Sequence, residues 1–294
     1  MREDYQAIVD EISALLGTPA TLEGRDFALI AFGAHQSDGE GSEPALDPVR
    51  TRSILGRGST AEVRAWFESF GITRATEPVR IDPEPSAGVV HGRICLPVRY
   101  AGVAHGYIWL IDDGAIDLSD PRLTSAMAVA SRIGALLAAE ARTEARTGEL
   151  LRELLLGGEE RTGTAEELTA QLHDALGTTG SGPLALVAVT PWQVAEGADA
   201  VGSNASVQPH VAARCVLPAT GRDTAKTTSA HWLAALVRLR SADGLDPART
   251  AAGRLLRTPG SPAAAGTIGT AGISAPRRGL AELLPAWREA TAAA

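Results

Sequence analysis

The chain has 294 residues, which is long enough for about two ordinary domains. Charged residues make up 21% of the chain and hydrophobic residues 45%, a balance typical of a folded, soluble protein. The formal net charge of -8 provides no basic surface for a phosphate backbone, so we expect that this chain does not itself bind DNA.

The cysteine content and the N-terminus indicate the cellular compartment. Cys95 and Cys215 fall in different predicted domains, so an internal disulfide is not expected and a reducing compartment is favoured. The first residues, MREDYQ, lack the apolar core of a signal peptide, and no run of about 18 uncharged apolar residues is present. We therefore predict a cytoplasmic protein with no membrane segment.

The first predicted domain, residues 1-118, mixes helices with short strands. Helical spacing and turn residues predict, in chain order, a helix over 4-17, a strand over 26-33, a loop over 35-43, helices over 47-55 and 59-70, and a strand over 78-81. The second short helix carries a capping-box pattern at Ser59 and Glu62. A hairpin follows, with strands over 93-100 and 104-112 around a turn at Ala101 and Gly102. This order of elements is similar to that of a GAF-like or PAS-like sensor domain.

Alternation along the hairpin separates an aliphatic face, with Ile94, Leu96 and Val98, from a mixed face. Apolar walls with a few polar groups are typical of a small-molecule pocket, so we predict a ligand site on the mixed face. Its candidate ligand-binding residues are Arg93, Cys95, Pro97, Tyr107 and Trp109, together with Arg64 from the preceding short helix. Two alternatives stay open. Tyr107 and Trp109 are equally compatible with a core role, and Cys95 is either a small buried hydrophobe or a thiolate stabilised by Arg93.

A long helical segment over 119-157 follows the first domain. Apolar residues recur at three- and four-residue steps, Ser119 and Pro121 signal its start, and Gly157 and Gly158 signal its end. The segment is one long helix or two in tandem. Because residues 140-149 are polar nearly all round and include Gly148, we expect a hinge near Thr147 and Gly148. We predict that this segment connects two domains and forms the interface of a homodimer.

The second predicted domain covers residues 158-294. Its pattern predicts, in order, a helix over 164-176, strands over 184-190, 211-217 and 231-239, a helix over 246-256, a strand over 263-274 and a helix over 279-290. This alternation of strands and helices predicts an α/β sandwich of the ferredoxin-like kind.

Two stretches of this half resemble the PucR/CdaR family of bacterial transcription regulators. LLRELLLGG over 150-158, followed by a helix and GPLALVAV, is similar to the junction after the family's sensor domain. GTIGTAGISAPRRGLAELLPAWREA over 266-290 is similar to the closing strand and helix of its middle domain, a degenerate relative of the diguanylate cyclase (GGDEF) domain. The predicted fold class is thus α/β (α+β), with a GAF/PAS-like sensor domain, a long connecting helix and a degenerate GGDEF-like domain.

The resemblance implies a function and partners. A family member senses a small metabolite, acts as a dimer and contacts DNA through a C-terminal helix-turn-helix, which this chain, ending at Ala294, does not include. The implied effector is a nutrient or a breakdown intermediate, with a preference for amino-acid catabolism such as that of proline. The alternative is a non-catalytic signalling or scaffold protein with a sensor and an inactive cyclase-like domain.

The sequence does not favour catalysis. Between Leu217 and His231, where a working cyclase carries its metal-binding turn, the only acidic residue is Asp223, too few carboxylates to hold Mg²⁺. His91, Cys95 and His105 fit no standard zinc spacing, and the glycine runs at 56-59 and 266-272 lack the Lys-Ser/Thr ending of a P-loop. We therefore expect no catalytic residues, no metal and no cofactor.

Overall fold

The computed structural model describes residues 2-33, 48-56, 58-157, 164-193, 210-218, 231-257 and 268-294. The predicted loop over 35-43, most of the connection over 218-229 and the start of the predicted strand over 263-274 lie outside these ranges. The chain divides into two compact units, Met1–Glu140 and Ala141–Ala294, which we call unit 1 and unit 2. The three-part division 1-118, 119-157 and 158-294 stays a prediction.

Unit 1 is built on one antiparallel sheet of five strands. Its elements are α1 (Arg2–Leu16), β1 (Ala20–Gly24), β2 (Leu29–Phe32), α2 (Pro48–Gly56), α3 (Ala61–Glu68), β3 (Val79–Ile81), β4 (Arg93–Tyr100), β5 (Val103–Ile111) and the first part of α4 (Pro121–Leu156). The strand order is β2-β1-β5-β4-β3, which is the order of a GAF-like or PAS-like sensor domain. The predicted fold class is confirmed for this unit.

The hairpin of β4 and β5 forms as predicted. Ala101 and Gly102 both have positive φ, 46° and 80°, as the tightest hairpin turn requires. The interior strand β1 was not predicted, because the sequence pattern predicts no element between the helix over 4-17 and the strand over 26-33. Its residues alternate, with Ala20 and Leu22 on one face and Thr21 and Glu23 on the other, but the strand is only five residues long and its polar residues are buried instead of facing solvent.

The two faces of this sheet differ in chemistry. One face is aliphatic: Ile94, Leu96 and Val98, with residues of β1 and β5, pack on α1 and on the first part of α4, as predicted. The opposite face is covered by α2 and α3 and is rich in aromatic side chains. We call it the aromatic face, and it is the mixed face of the sequence prediction.

The long helix α4 is continuous over its 36 residues, including Thr147 and Gly148. The Thr147 hydroxyl donates to the carbonyls of Thr143 and Glu144 within the same helix, both at 3.0 Å. The cap is Asp120 rather than Ser119, since the Asp120 carboxylate accepts the backbone N–H of Arg122 at 2.8 Å. The segment is therefore one helix, and the structure has no break at the position where a hinge was expected.

α4 is also long and apolar enough, by length and composition, to cross a membrane; its most apolar 18-residue window has a mean hydropathy of 1.2 and is 39% buried. Most buried residues of α4 belong to the hydrophobic cores of the two units, with Leu123 to Ile133 in unit 1 and Leu150 to Leu155 in unit 2. A single helix of this kind is weak evidence of a membrane span, because core helices of soluble proteins pass the same test.

Unit 2 contains the end of α4, then α5 (Ala165–Leu176), β6 (Leu184–Trp192), β7 (Val211–Pro218), β8 (His231–Arg238), α6 (Asp246–Leu255), β9 (Thr270–Ile273) and α7 (Leu283–Ala292). The sheet order β7-β8-β6-β9, antiparallel throughout, is the ferredoxin-like order that the sequence predicted. Hydrophobic clusters lie on both faces of this sheet.

Candidate functional site on the aromatic face of unit 1

The structure brings most of the predicted ligand-binding residues together on the aromatic face. In the sheet register Cys95 lies opposite Trp109, and Pro97 lies opposite Tyr107. Side chains directly opposite in an antiparallel pair share a face, and all four of these residues are buried. Their role in binding stays a prediction.

Five aromatic rings form the centre of this face. Phe67 lies 4.5 Å from Trp109, and Phe27 lies 5.2 Å from Tyr107 and 5.9 Å from Trp109, measured between ring centroids. Trp66 of α3 packs edge-on against Phe67 at 4.9 Å. Tyr107 and Trp109 are thus core aromatics in this structure, and they line the same buried face as the polar groups described below.

Phe27 has an unusual backbone. Its side chain is fully buried and its φ is 61°, a left-handed conformation that bulky residues rarely adopt. Holding a non-glycine residue there costs about 1–3 kcal/mol, and such residues concentrate at binding sites. No local pattern in the sequence marks Phe27, because its conformation depends on packing in three dimensions.

Two arginines lie against these rings. The guanidinium carbon of Arg93 is 5.6 Å from the centroid of Phe67, and that of Arg64 is 5.7 Å from the centroid of Phe27. Arg93 is buried, whereas the side chain of Arg64 is 43% exposed and also pairs with Glu68 of α3 at 2.8 Å. Arg64 therefore lies at the rim of the aromatic face, and Arg93 lies inside it.

Glu23 is the functional candidate that sequence reasoning missed. It lies on β1, is 3% exposed, and its Oε2 accepts the indole N–H of Trp109 at 2.9 Å. The approach of β1 to β5 depends on Gly106, where a Cβ would lie 2.5 Å from the carbonyl oxygen of Glu23. Had β1 been recognised, alternation would have placed Glu23 and Thr21 on one face with Trp109.

Burial controls the ionisation of Glu23. Desolvation raises its pKa to about 7, although the side chains of Ser53 and Trp109 donate hydrogen bonds that favour the charged form. Arg93 also favours the charged form, and Asp26 opposes it. A carboxyl group that changes charge near neutral pH is unusual in a protein core, and such groups concentrate at functional sites.

Cys95 does not have the environment of a reactive thiol. Its side chain is fully buried, and burial together with the charge of Glu23 raises its pKa well above the usual value. A thiol reacts through its thiolate, which is disfavoured here. The structure favours the small buried hydrophobe over the stabilised thiolate.

Among the described residues, no group of three or more His, Cys, Asp or Glu side chains is arranged to hold a metal ion. The imidazole Nδ1 of His91, one of the three residues weighed as zinc ligands, lies 2.8 Å from Asp113 Oδ2. The connection over 219-230, where a cyclase would hold its metal, lies outside the described residues.

Comparison with known proteins finds similarity only at the level of structure. No protein-family model matches the chain, and no curated protein sequence matches it. The solved structures to which the chain is similar include the cofactor-binding GAF domain of the nutrient sensor CodY from Clostridium difficile, with 10% identity over 44% of this chain and 81% of that one and a TM-score of 0.31.

The second GAF domain of DevS from Mycobacterium smegmatis is similar at 16% identity, over 49% of this chain and 97% of that one, with a TM-score of 0.29. PelD from Pseudomonas aeruginosa, residues 158 to the C-terminus, is similar at 11% identity over 92% of this chain and 82% of that one, with a TM-score of 0.25. At these scores the assignment of the two folds depends on strand order and register, described above.

Proposed function

We propose that this chain is the sensing part of a ligand-responsive transcription regulator of PucR/CdaR type. Unit 1 binds a small metabolite on its aromatic face, and DNA is contacted through a helix-turn-helix segment outside these residues. The observation that carries the proposal is Glu23, a buried carboxylate among aromatic rings with Arg93 nearby. A core selected for stability alone would be more stable with apolar residues at these positions.

The helix α4 supplies a physical route from the ligand to the rest of the molecule. Its first part packs on the aliphatic face of the unit 1 sheet, and its last turns belong to the core of unit 2. A ligand shifts an equilibrium only if it binds one arrangement better than another. In the proposed mechanism, the ligand therefore favours one packing of α4 on the sheet. A homodimer formed along this helix transmits this change in the position of α4.

The proposed effector is a metabolite of a catabolic pathway, with amino-acid or proline breakdown intermediates the first choice. Unit 2 has no catalytic part in the proposal, because the sequence over 217-231 contains one acidic residue. The work of unit 2 is to pass the signal on through protein contacts.

A thermal-shift screen of this chain against catabolic intermediates tests the proposal, since a ligand that binds only the folded state raises the melting temperature. One PelD structure is a complex with c-di-GMP, so c-di-GMP belongs in the screen. Cys95→Ala and Trp109→Ala should reduce the rise in melting temperature. Cys215→Ala and Trp287→Ala, which make the same changes in unit 2, should leave it intact.

Two outcomes count against the sensor proposal. The first is that no metabolite shifts the melting temperature, while the unit 1 and unit 2 variants simply melt lower. The second is that a compound shifts the melting temperature and only the unit 2 variants abolish the shift. The first outcome favours the scaffold alternative, in which both units act through protein contacts alone.

A further inference from the structure

The aromatic face carries one buried acidic residue. Among the described residues, the buried charged side chains are Glu23, Arg50, Arg93 and Asp112. Asp112 lies at the end of β5, where it accepts backbone N–H groups of the following turn and pairs with Arg80. The described hydrogen-bond partners of the Glu23 carboxylate are side chains, not backbone N–H groups of a turn, so its burial has another explanation.

The rings around Glu23 are of a kind that binds cations. The faces of Phe27 and Phe67 each have an arginine guanidinium within 6 Å of the centroid, the range of a cation–π interaction. Tryptophan is the side chain that attracts cations most strongly, and the indole N–H of Trp109 donates a hydrogen bond to Glu23. A carboxylate beside aromatic faces is the combination that recognises organic ammonium groups.

We infer that the aromatic face of unit 1 binds a small organic cation, an amine or a quaternary ammonium, whose charge pairs with Glu23 against the rings of Trp109 and Phe27. This inference rests on the proposed function and names the chemical class of its ligand. The left-handed backbone of Phe27, four residues after Glu23, supports it, because the surrounding packing holds this ring in the site against a backbone cost and such residues concentrate at ligand sites.

Ligand binding is then linked to proton release. The groups that face Glu23 are Ser53 of α2, Trp109 of β5, Arg93 and Cys95 of β4, and Asp26 of the β1–β2 turn. Burial raises the pKa of Glu23 to about 7, so below that pH most of the carboxyl groups are protonated. A cation that pairs with the carboxylate must then release this proton in order to bind. The affinity for a permanent cation should accordingly be about tenfold higher near pH 8 than near pH 6.

Thermal shift and calorimetry on the full chain test the inference, with cadaverine and tetramethylammonium as cationic probes and glutarate as an anion of the same carbon length as cadaverine. We expect both cations to raise the melting temperature and glutarate to leave it unchanged. Tetramethylammonium does not titrate, so its pH dependence reports on the protein alone.

The variant Glu23→Gln keeps the size of the side chain and an oxygen for the Trp109 N–H, and it should abolish the response to both cations. Glu62→Gln, a change of the same kind on the exposed surface of α3, should keep the response. Circular dichroism checks that Glu23→Gln is folded.

The inference is overturned if neither cation shifts the melting temperature near pH 8, if Glu23→Gln responds as the wild type does, or if glutarate binds instead. If a metabolite binds in a Trp109-dependent manner while the cations do not, the sensor proposal stands and Glu23 is only a partner of Arg93 in the core. If nothing binds, both proposals fail.

Discussion

At the scale of single residues, the burial of Glu23 governs how the stability of unit 1 depends on pH. Its carboxyl group is removed from water, and the hydrogen bonds from Ser53 and Trp109 offset only part of the desolvation cost. The charge of Glu23 therefore opposes folding at alkaline pH, and the neutral form is tolerated.

The first prediction concerns the pH dependence of stability. The pKa of Glu23 rises from a usual 4.5 to about 7 on folding, so the folded state binds this proton more tightly than the unfolded state. The resulting stabilisation is complete below about pH 4.5 and is lost as the pH rises through 7, a loss of about 2–3 kcal/mol between pH 5 and pH 8.

Urea unfolding of the wild type and Glu23→Gln measures this difference. The free energy of unfolding of the wild type minus that of the variant should fall by about 2–3 kcal/mol from pH 5 to pH 8, because the amide does not titrate and the other groups cancel. A difference that is constant with pH would show that Glu23 keeps its ordinary pKa.

The second residue-scale prediction concerns the thiols. Cys95 and Cys215 are both buried, and burial raises the pKa of each. Neither should react with Ellman's reagent in the native protein, and both should react once the chain is unfolded in urea. Rapid labelling of Cys95 in the folded state, identified by mass spectrometry of the peptides, would revive the reactive-thiol alternative.

At the scale of elements, the packing of α4 on β4 depends on Gly134. A Cβ at this position would lie 2.3 Å from the carbonyl oxygen of Arg99, which is closer than any real contact. The glycine therefore lets the helix backbone approach the sheet, and the helix tolerates it despite its low helical propensity.

We predict that Gly134→Ala destabilises unit 1 by about 1–3 kcal/mol, because the helix must move away from the sheet. The matched control is Gly253→Ala in α6, where the nearest atom to a new Cβ is at 3.8 Å, so the same substitution should stabilise the protein by up to about 1 kcal/mol. Thermal melts of the two variants should shift in opposite directions. A stabilising Gly134→Ala would mean that α4 does not pack this closely on β4.

At the scale of the whole molecule, the proposed homodimer requires an apolar surface along α4. Leu136 of α4 is 44% exposed, whereas its neighbours Ile133 and Leu137 pack in the core of unit 1. If the dimer forms along this helix, Leu136 is covered by the partner.

We predict that the wild type sediments at about twice its chain mass of 30.4 kDa and that Leu136→Arg sediments as a monomer, because burying an unpaired charge in the interface is costly. Leu118→Arg is the matched control, since Leu118 is equally exposed but precedes α4. A monomeric wild type, or a dimer indifferent to Leu136→Arg, would contradict an interface along this helix.

The sequence alone predicted most elements of both units, and it did so where local patterns are strong. The hairpin of β4 and β5 follows from alternation around Ala101 and Gly102, and α5 follows from a cap at Thr164 and the helical spacing of its leucines. It also predicted that α4 extends from one unit to the next, because an apolar stripe is a local property of a helix. A hinge near Gly148 was predicted from the polar surroundings of residues 140-149 and the low helical propensity of glycine, but Thr147 is buried and Leu150 packs in the core of unit 2, which favours a continuous helix.

What the tertiary structure decided is the chemistry of the aromatic face. β1 is a short strand that is buried on both faces, and Glu23 in its sequence has the appearance of a surface residue until the strand is placed between β2 and β5. Phe27 and Phe67 lie far from Trp109 in the chain and meet it only because α3 and the β1–β2 turn pack over the sheet. Local patterns specify elements, since they arise from backbone geometry. A buried carboxylate is specified by which strands become neighbours, and that depends on contacts distant in sequence.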